Sequence, residues 1–167
     1  MNSSYALPNF SSDYQEGAHA RVLDALVATN MEQASGYGTD EHCERARDLI
    51  RGACAVPDAD VYFLVGGTKC GALFGEAAVI INPALKDDFR TIMKQGGAAL
   101  AKGRLLGLQF ETLFTDGLYY KICRHGVELA LQIKVAVQER GLGFVTDSTT
   151  NQQFHHFSPQ AIVRRTE

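Results

Sequence analysis

One lysine, Lys69, lies inside "GGTKCGALFGE" (Gly66–Glu76), a run of glycines and small residues with an apolar stretch on each side. Such a lysine can be solvated, catalytic or bonded to a cofactor. Gly66, Gly67, Gly71 and Gly75 remove side-chain bulk around it, so backbone or ligand can come close. A strand delivering the chain into this run and another carrying it away would aim Lys69 into a cleft at the end of a sheet. A partly desolvated lysine there has a lowered pKa, and its neutral amine attacks aldehydes. A Schiff base to pyridoxal phosphate is the commonest use of such an amine. The rival use is an anion nest built from the backbone N–H groups of "GGT". A P-loop, however, needs Gly-x-x-x-x-Gly-Lys-Ser/Thr ahead of a helix. Here Thr68 precedes the lysine, and the segment that follows reads as a strand.

The other chemistry-bearing residues are scattered. Cys43, Cys54, Cys70 and Cys123 form no Cys-x-x-Cys pair, which reads as free thiols in a reducing cytoplasm. Cys43 and Cys54 fall on the apolar face of a helix. His155 and His156 have no third ligand at a metal-site spacing, so no metal site is expected. His19 reads as a helix-start residue and His125 as a surface position. Tyr119, Tyr120 and Lys121 read as one helix face.

The elements that would position Lys69 follow from periodicity. Residues 1–17 read as an irregular arm. Val22, Leu23, Leu26 and Val27 recur at helical spacing between His19 and Met31. After "SGYGTD", Thr39 reads as the N-cap of a second helix with Cys43, Ala46, Ile50 and Ala53 on one stripe, ended by Pro57. "DVYFLV" and "EAAVIIN" are near-continuous apolar runs; these suit strands of a sheet covered on both faces, an α/β layer structure. Asn82–Pro83 opens a helix to about Lys94, and Gly96–Gly97 breaks it. Asp116 reads as a cap for a long packing helix, Gly117 to about Arg140, with Leu118, Ile122, Leu129 and Ile133 as its buried stripe. "GFVTDSTTNQQF" reads as strand, turn and strand.

At 167 residues the chain is long enough for a core of its own. Sixteen basic against 19 acidic residues give a net charge of −3, which argues against nucleic acid or an anionic membrane as partner. No apolar run reaches the length of a membrane span, and no secretory signal is visible. A cytoplasmic protein is expected.

"GGTKCGALFGEAAVI", "GGAALAKGRLLGLQFETLF" and "DSTTNQQF" together resemble the low-specificity threonine aldolase type of β-eliminating lyase. So does "DYQEGAHARVLDALVATNMEQASGYGTDEHCERARDLI" near the N-terminus. The resemblance covers most of residues 10–155, in two blocks. It implies a pyridoxal-phosphate enzyme of the aspartate-aminotransferase-like fold (fold type I), working on a small amino acid as a homodimer or homotetramer. Lys69 matches the lysine that holds the cofactor. Gly66, Gly67 and Thr68 resemble a cofactor-phosphate loop. Tyr37 matches an active-site loop near a subunit interface, and Lys102 lies in a segment that would approach a neighbouring subunit's cofactor. The implied reaction is cleavage of a β-hydroxy-amino acid to glycine and an aldehyde, with tryptophanase-like β-elimination as the competitor.

The pattern also departs from that family. There "GGT" occurs twice, after an early strand and before the cofactor lysine; here a single "GGT" joins the two contexts. The segment that would carry an Asp-Gly-Ala-Arg motif, whose aspartate pairs with the pyridinium nitrogen, is missing. Arg164 and Arg165 do not match the arginine for the substrate carboxylate. The expected architecture is therefore an incomplete α/β large domain: an arm over 1–17, a large-domain remnant over 18–82, and a helical segment with a partial α+β small domain over 83–167. Impaired stability or dependence on a partner is expected, and a non-catalytic remnant that associates with intact relatives is the alternative function.

Overall fold

The computed structural model describes residues 17–66 and 69–156. The chain divides into two compact units, Met1–Tyr119 and Tyr120–Glu167. Most of the expected arm, Gly67, Thr68, Arg164 and Arg165 lie outside the described residues.

In the first unit, α1 (Ala20–Ala28) starts at His19, whose Nδ1 accepts from the Arg21 N–H at 3.2 Å. Helix α2 (Glu41–Cys54) is capped by Asp40 rather than Thr39: its Oδ1 accepts from the Cys43 N–H at 3.0 Å, while the Thr39 hydroxyl donates to the Gly36 carbonyl. Cys43, Ala46 and Ile50 are buried, but Ala53 and Cys54 are exposed, because the helix runs past the edge of the core it covers.

Strands β1 (Asp60–Leu64) and β2 (Glu76–Ile80) pair antiparallel, from Asp60 opposite Ile80 to Leu64 opposite Glu76. Among the described residues this is the whole sheet. The doubly covered sheet expected from the two apolar runs is thereby corrected. Val61 and Phe63 point into the core while their neighbours in β1 stay half-buried, the alternation of a sheet packed on one face. The core joins Cys43, Ala46, Ile50, Val61, Phe63, Leu106 and Phe110, with the Phe63 and Phe110 rings stacked at 5.3 Å.

The helix expected from Pro83 is split. Asn82 caps a 3-10 turn, Pro83–Leu85, and Asp88 at φ 56° breaks the path before α3 (Phe89–Gln95). Helix α4 (Arg104–Phe114) is the most buried element, with Leu106 through Phe110 all inside. A methyl at Gly107 would meet Cys43 Sγ at 2.4 Å, so this glycine sets how closely α4 approaches α2. Asp116 makes no side-chain cap; its carboxylate takes the Arg21 guanidinium at 3.3 Å.

Helix α5 (Leu118–Glu139) supplies the second unit. Ala130 is buried there, whereas Leu129 and Ile133, expected inside, are exposed. In that unit the described residues offer only a single bridge, Phe144 to His155, in place of two strands, and so leave little to cover the helix.

Candidate active site

Lys69 lies in the connection between β1 and β2. The loop turns at once: the Ala72 N–H donates to the Lys69 carbonyl at 3.1 Å, and Cys70 and Gly71 both have positive φ, 58° and 83°. A cysteine in the left-handed region is uncommon and strained, so the surroundings must hold it there.

Two outside contacts do so. The His19 N–H donates to the Gly71 carbonyl at 2.9 Å, fastening the loop to the start of α1. Gln109, fully buried in α4, accepts through Oε1 from the N–H groups of Leu73 at 2.7 Å and Phe74 at 3.3 Å. Its amide nitrogen donates to the Leu105 carbonyl at 2.9 Å, which fixes the orientation of the side chain. One amide thus replaces the ladder partners that an irregular segment lacks.

The loop closes at Gly75, whose N–H donates to the Gly66 carbonyl. Gly75 has φ 112°, and a methyl there would stand 2.6 Å from Leu106 Cδ2, so only glycine fits. Gly66 meets a different neighbour. A Cβ on it would lie 2.8 Å from both Cδ and Oε1 of Glu76, so the missing side chain makes room for a carboxylate.

Lys69 and Glu76 border one cavity of about 520 Å³. The rest of its wall is almost entirely apolar or aromatic: Ile50, Ala77, Val79, Phe110, Leu113, Phe114 and Tyr119, with Cys54 and Cys70. Phe114 and Tyr119 stack at 4.9 Å and 12°. Lys69 itself is exposed. The expected desolvation of its amine is therefore corrected: the lysine stands at the rim of the cavity, because the loop that carries it runs over the surface between the strand ends.

Tyr37 and Lys102 lie elsewhere. Tyr37 has φ 55°; its N–H donates to the Ala101 carbonyl at 2.9 Å, and its carbonyl accepts from Arg90 at 2.9 Å. Lys94 Nζ stands 4.7 Å from the centre of its ring. Lys102 is exposed on the turn before α4. The structure brings these two segments to each other, and neither residue lines the Lys69 cavity.

Glu76 and Gln109 are site residues that sequence reasoning missed. A signal existed for Glu76, a lone charge at the head of an apolar strand directly after glycine. Gln109 left none, since a glutamine between Leu108 and Phe110 reads as the polar side of a helix.

Among the described residues no group of three or more His, Cys, Asp or Glu is placed to hold a metal, and no helix is long and apolar enough to cross a membrane. No family model matches the sequence, and no curated protein matches it. The structure is similar to a solved structure described as an initial structural analysis of Leishmania major threonine aldolase, with a TM-score of 0.83 and 21% sequence identity. The similarity covers 93% of this chain and 86% of that one. The chain therefore shares its α/β fold with that threonine aldolase, in a small, helix-rich form with a two-stranded sheet.

Proposed function

We propose that this chain is a pyridoxal-phosphate-dependent carbon–carbon lyase of the threonine aldolase type. It would cleave a β-hydroxy-amino acid to glycine and an aldehyde. The observation that carries the reading is Lys69 at the rim of a 520 Å³ cavity walled by Phe110, Phe114 and Tyr119, in a chain with the fold of a threonine aldolase structure.

The lining fits an aromatic aldehyde. Lys69 offers the amine to hold it, the aromatic wall suits a flat ring, and Glu76 supplies a carboxylate. When bound, the cofactor supplies an electron sink for the bond broken at the substrate's α-carbon. This chain's residues do the rest. The apolar wall would exclude water from the ring, and the Lys69 amine, freed once the substrate's own amine has taken its place on the aldehyde carbon, would take the proton of the substrate's β-hydroxyl oxygen as the carbon–carbon bond opens. Gly66, Gly67 and Thr68 are the candidates for the cofactor phosphate. Tyr37 and Lys102 are assigned to a site shared with a second copy, in a homodimer or homotetramer. Tryptophanase-like elimination would use the same amine and differs only in the group that leaves.

A second reading, a non-catalytic remnant that associates with intact relatives, is favoured by the two-stranded sheet and by the exposed Leu129 and Ile133 of α5. One experiment separates the two. Incubate the protein with pyridoxal phosphate, reduce with borohydride and map the labelled lysines. The lyase reading expects one dominant label at Lys69, absent in Lys69→Ala. Equal labelling of many lysines supports the remnant.

A further inference from the structure

Another cavity of the first unit, about 280 Å³, gathers three arginines, Arg47 and Arg51 from α2 and Arg90 from α3. Backbone oxygens position them. Arg47 donates to the carbonyls of Gly38 at 2.6 Å and Val61 at 3.0 Å, and its guanidinium stands 5.7 Å from the centre of the Phe63 ring. Arg51 Nε donates to the Ala59 carbonyl at 2.8 Å, and Arg90 Nη2 to the Tyr37 carbonyl at 2.9 Å. A carbonyl fixes a guanidinium without neutralising it. The acids nearby already meet cations: Glu44 takes Arg47 at 2.6 Å, Asp48 takes Arg51 at 3.2 Å and Asp60 takes Lys86 at 3.2 Å. Among the described residues Arg90 has no carboxylate within ion-pair distance. Arg51 Nη2 and Arg90 Nε and Nη1 make no hydrogen bond there either. Positive charge and free donors are thus left over at one cavity, in a chain whose net charge is −3.

We propose that this arginine cavity binds the phosphate group of a small phosphorylated molecule. A guanidinium presents paired N–H groups that match two oxygens of a phosphate. Arg51 and Arg90 hold the anion through their free donors, and Arg47, whose donors are all engaged, adds a fixed charge behind them. A phosphate dianion gains from several cations at once, whereas a carboxylate carries one charge, so the cavity prefers phosphate. The site lies apart from the Lys69 cavity, with which it shares no lining residue, and the proposal stands without the lyase reading. Its effect reaches Tyr37. Arg90 and Arg47 also hold the carbonyls of Tyr37 and Gly38, a turn with φ of 55° and 75° at those two residues. An anion that fixes the guanidiniums steadies that turn with them.

The test titrates inorganic phosphate, and acetate for comparison, into the full chain by calorimetry, on the wild type, Arg51→Gln, Arg90→Gln, Arg90→Lys and Arg140→Gln. The wild type should bind phosphate more tightly than acetate. Arg51→Gln and Arg90→Gln should each lose about tenfold in affinity. Arg90→Lys, which keeps the charge without the paired donors, should fall between. Arg140→Gln, in the other unit, should lose nothing. A thermal melt of each variant without phosphate checks that the fold is retained. Amide exchange locates the anion: phosphate should slow exchange at Tyr37, Gly38 and Thr39. Protection at Gly66, Gly67 and Thr68 instead, with affinity unchanged in Arg51→Gln and Arg90→Gln, puts the phosphate at the Lys69 loop; that overturns this proposal and leaves the lyase reading standing. No saturable binding, or acetate held as tightly as phosphate, overturns it as well.

Discussion

Helix α4 serves two regions by two different means. Toward α2 it closes a seam of charge and close packing: Gly107 lies against Cys43, and Glu111 takes the Arg45 guanidinium while His42 Nδ1 stands 2.7 Å from its other oxygen. His42 Nε2 reaches Glu32 at 3.0 Å, so the connector between α1 and α2 joins the same seam. Toward the Lys69 loop α4 offers the single amide of Gln109. The seam shares its load among several side chains, whereas the loop depends on one side chain, Gln109, and one backbone bond from His19. A loop held at so few points can be adjusted without dismantling the core, which suits a segment that must meet a ligand.

The comparison can be broken first at its tightest contact. Gly107→Val puts branched carbon where a single methyl would already stand 2.4 Å from Cys43 Sγ. A loss of about 3 kcal/mol or more is expected, seen as a large fall in Tm; an unchanged melt would mean that the seam tolerates separation. Next comes Gln109→Leu, which leaves the Leu73 and Phe74 N–H groups without their acceptor and should cost about 2 kcal/mol. Amide exchange should speed at those two residues and stay slow in α2. Equal acceleration in both would show that loop and seam are one unit.

A smaller effect sharpens the seam itself. Burial alone opposes charge on His42, but its hydrogen bonds to Glu32 and Glu111, and the charge of Glu111, outweigh burial and the Arg45 charge and raise its pKa above 6.5. Because the folded value is the higher one, the contribution of His42 is complete below about pH 6.5 and drains away as pH rises through the folded pKa. His42→Gln should therefore cost roughly 1–2 kcal/mol at pH 6 and less at pH 8, by denaturant titration. A gap that widens with pH would refute the charged imidazole. Thiol reactivity adds a control: burial, then Asp40, push the Cys43 thiol up to about 12. A thiol reagent at pH 8 should label exposed Cys54 and spare Cys43. Smallest of all is Asp116→Ala. Its pairing with Arg21 is exposed on both sides, and the change should stay within about 0.5 kcal/mol.

Local features were legible in the sequence, and partnerships across the chain were not. The start of α1 at His19, the buried stripe of α2 and the apolar runs of both strands all come from neighbours a few residues apart. The direction of strand pairing did not follow, because "DVYFLV" and "EAAVIIN" suit a covered parallel sheet as readily as a hairpin with one buried face. The cap of α2 slipped by one position, since Thr39 and Asp40 both qualify and only the bond to Cys43 decides. His42 and Glu111 are 69 positions apart, and nothing local marks either for the other. Lys69 stood out by its glycines, but those glycines answer partly to Leu106 and to Glu76.

The hairpin and the seam also differ in how far apart along the chain their halves lie. Leu64 and Glu76 meet across a short connection, while Cys43 finds the Gly103 carbonyl 60 positions away. Closing the longer segment carries more entropy, about 0.6 kcal/mol for each doubling. Strand pairing can therefore form on the microsecond scale, and the docking of α4 onto α2 becomes the slow event in refolding. The hairpin would then be ready before the helix that clamps its loop arrives.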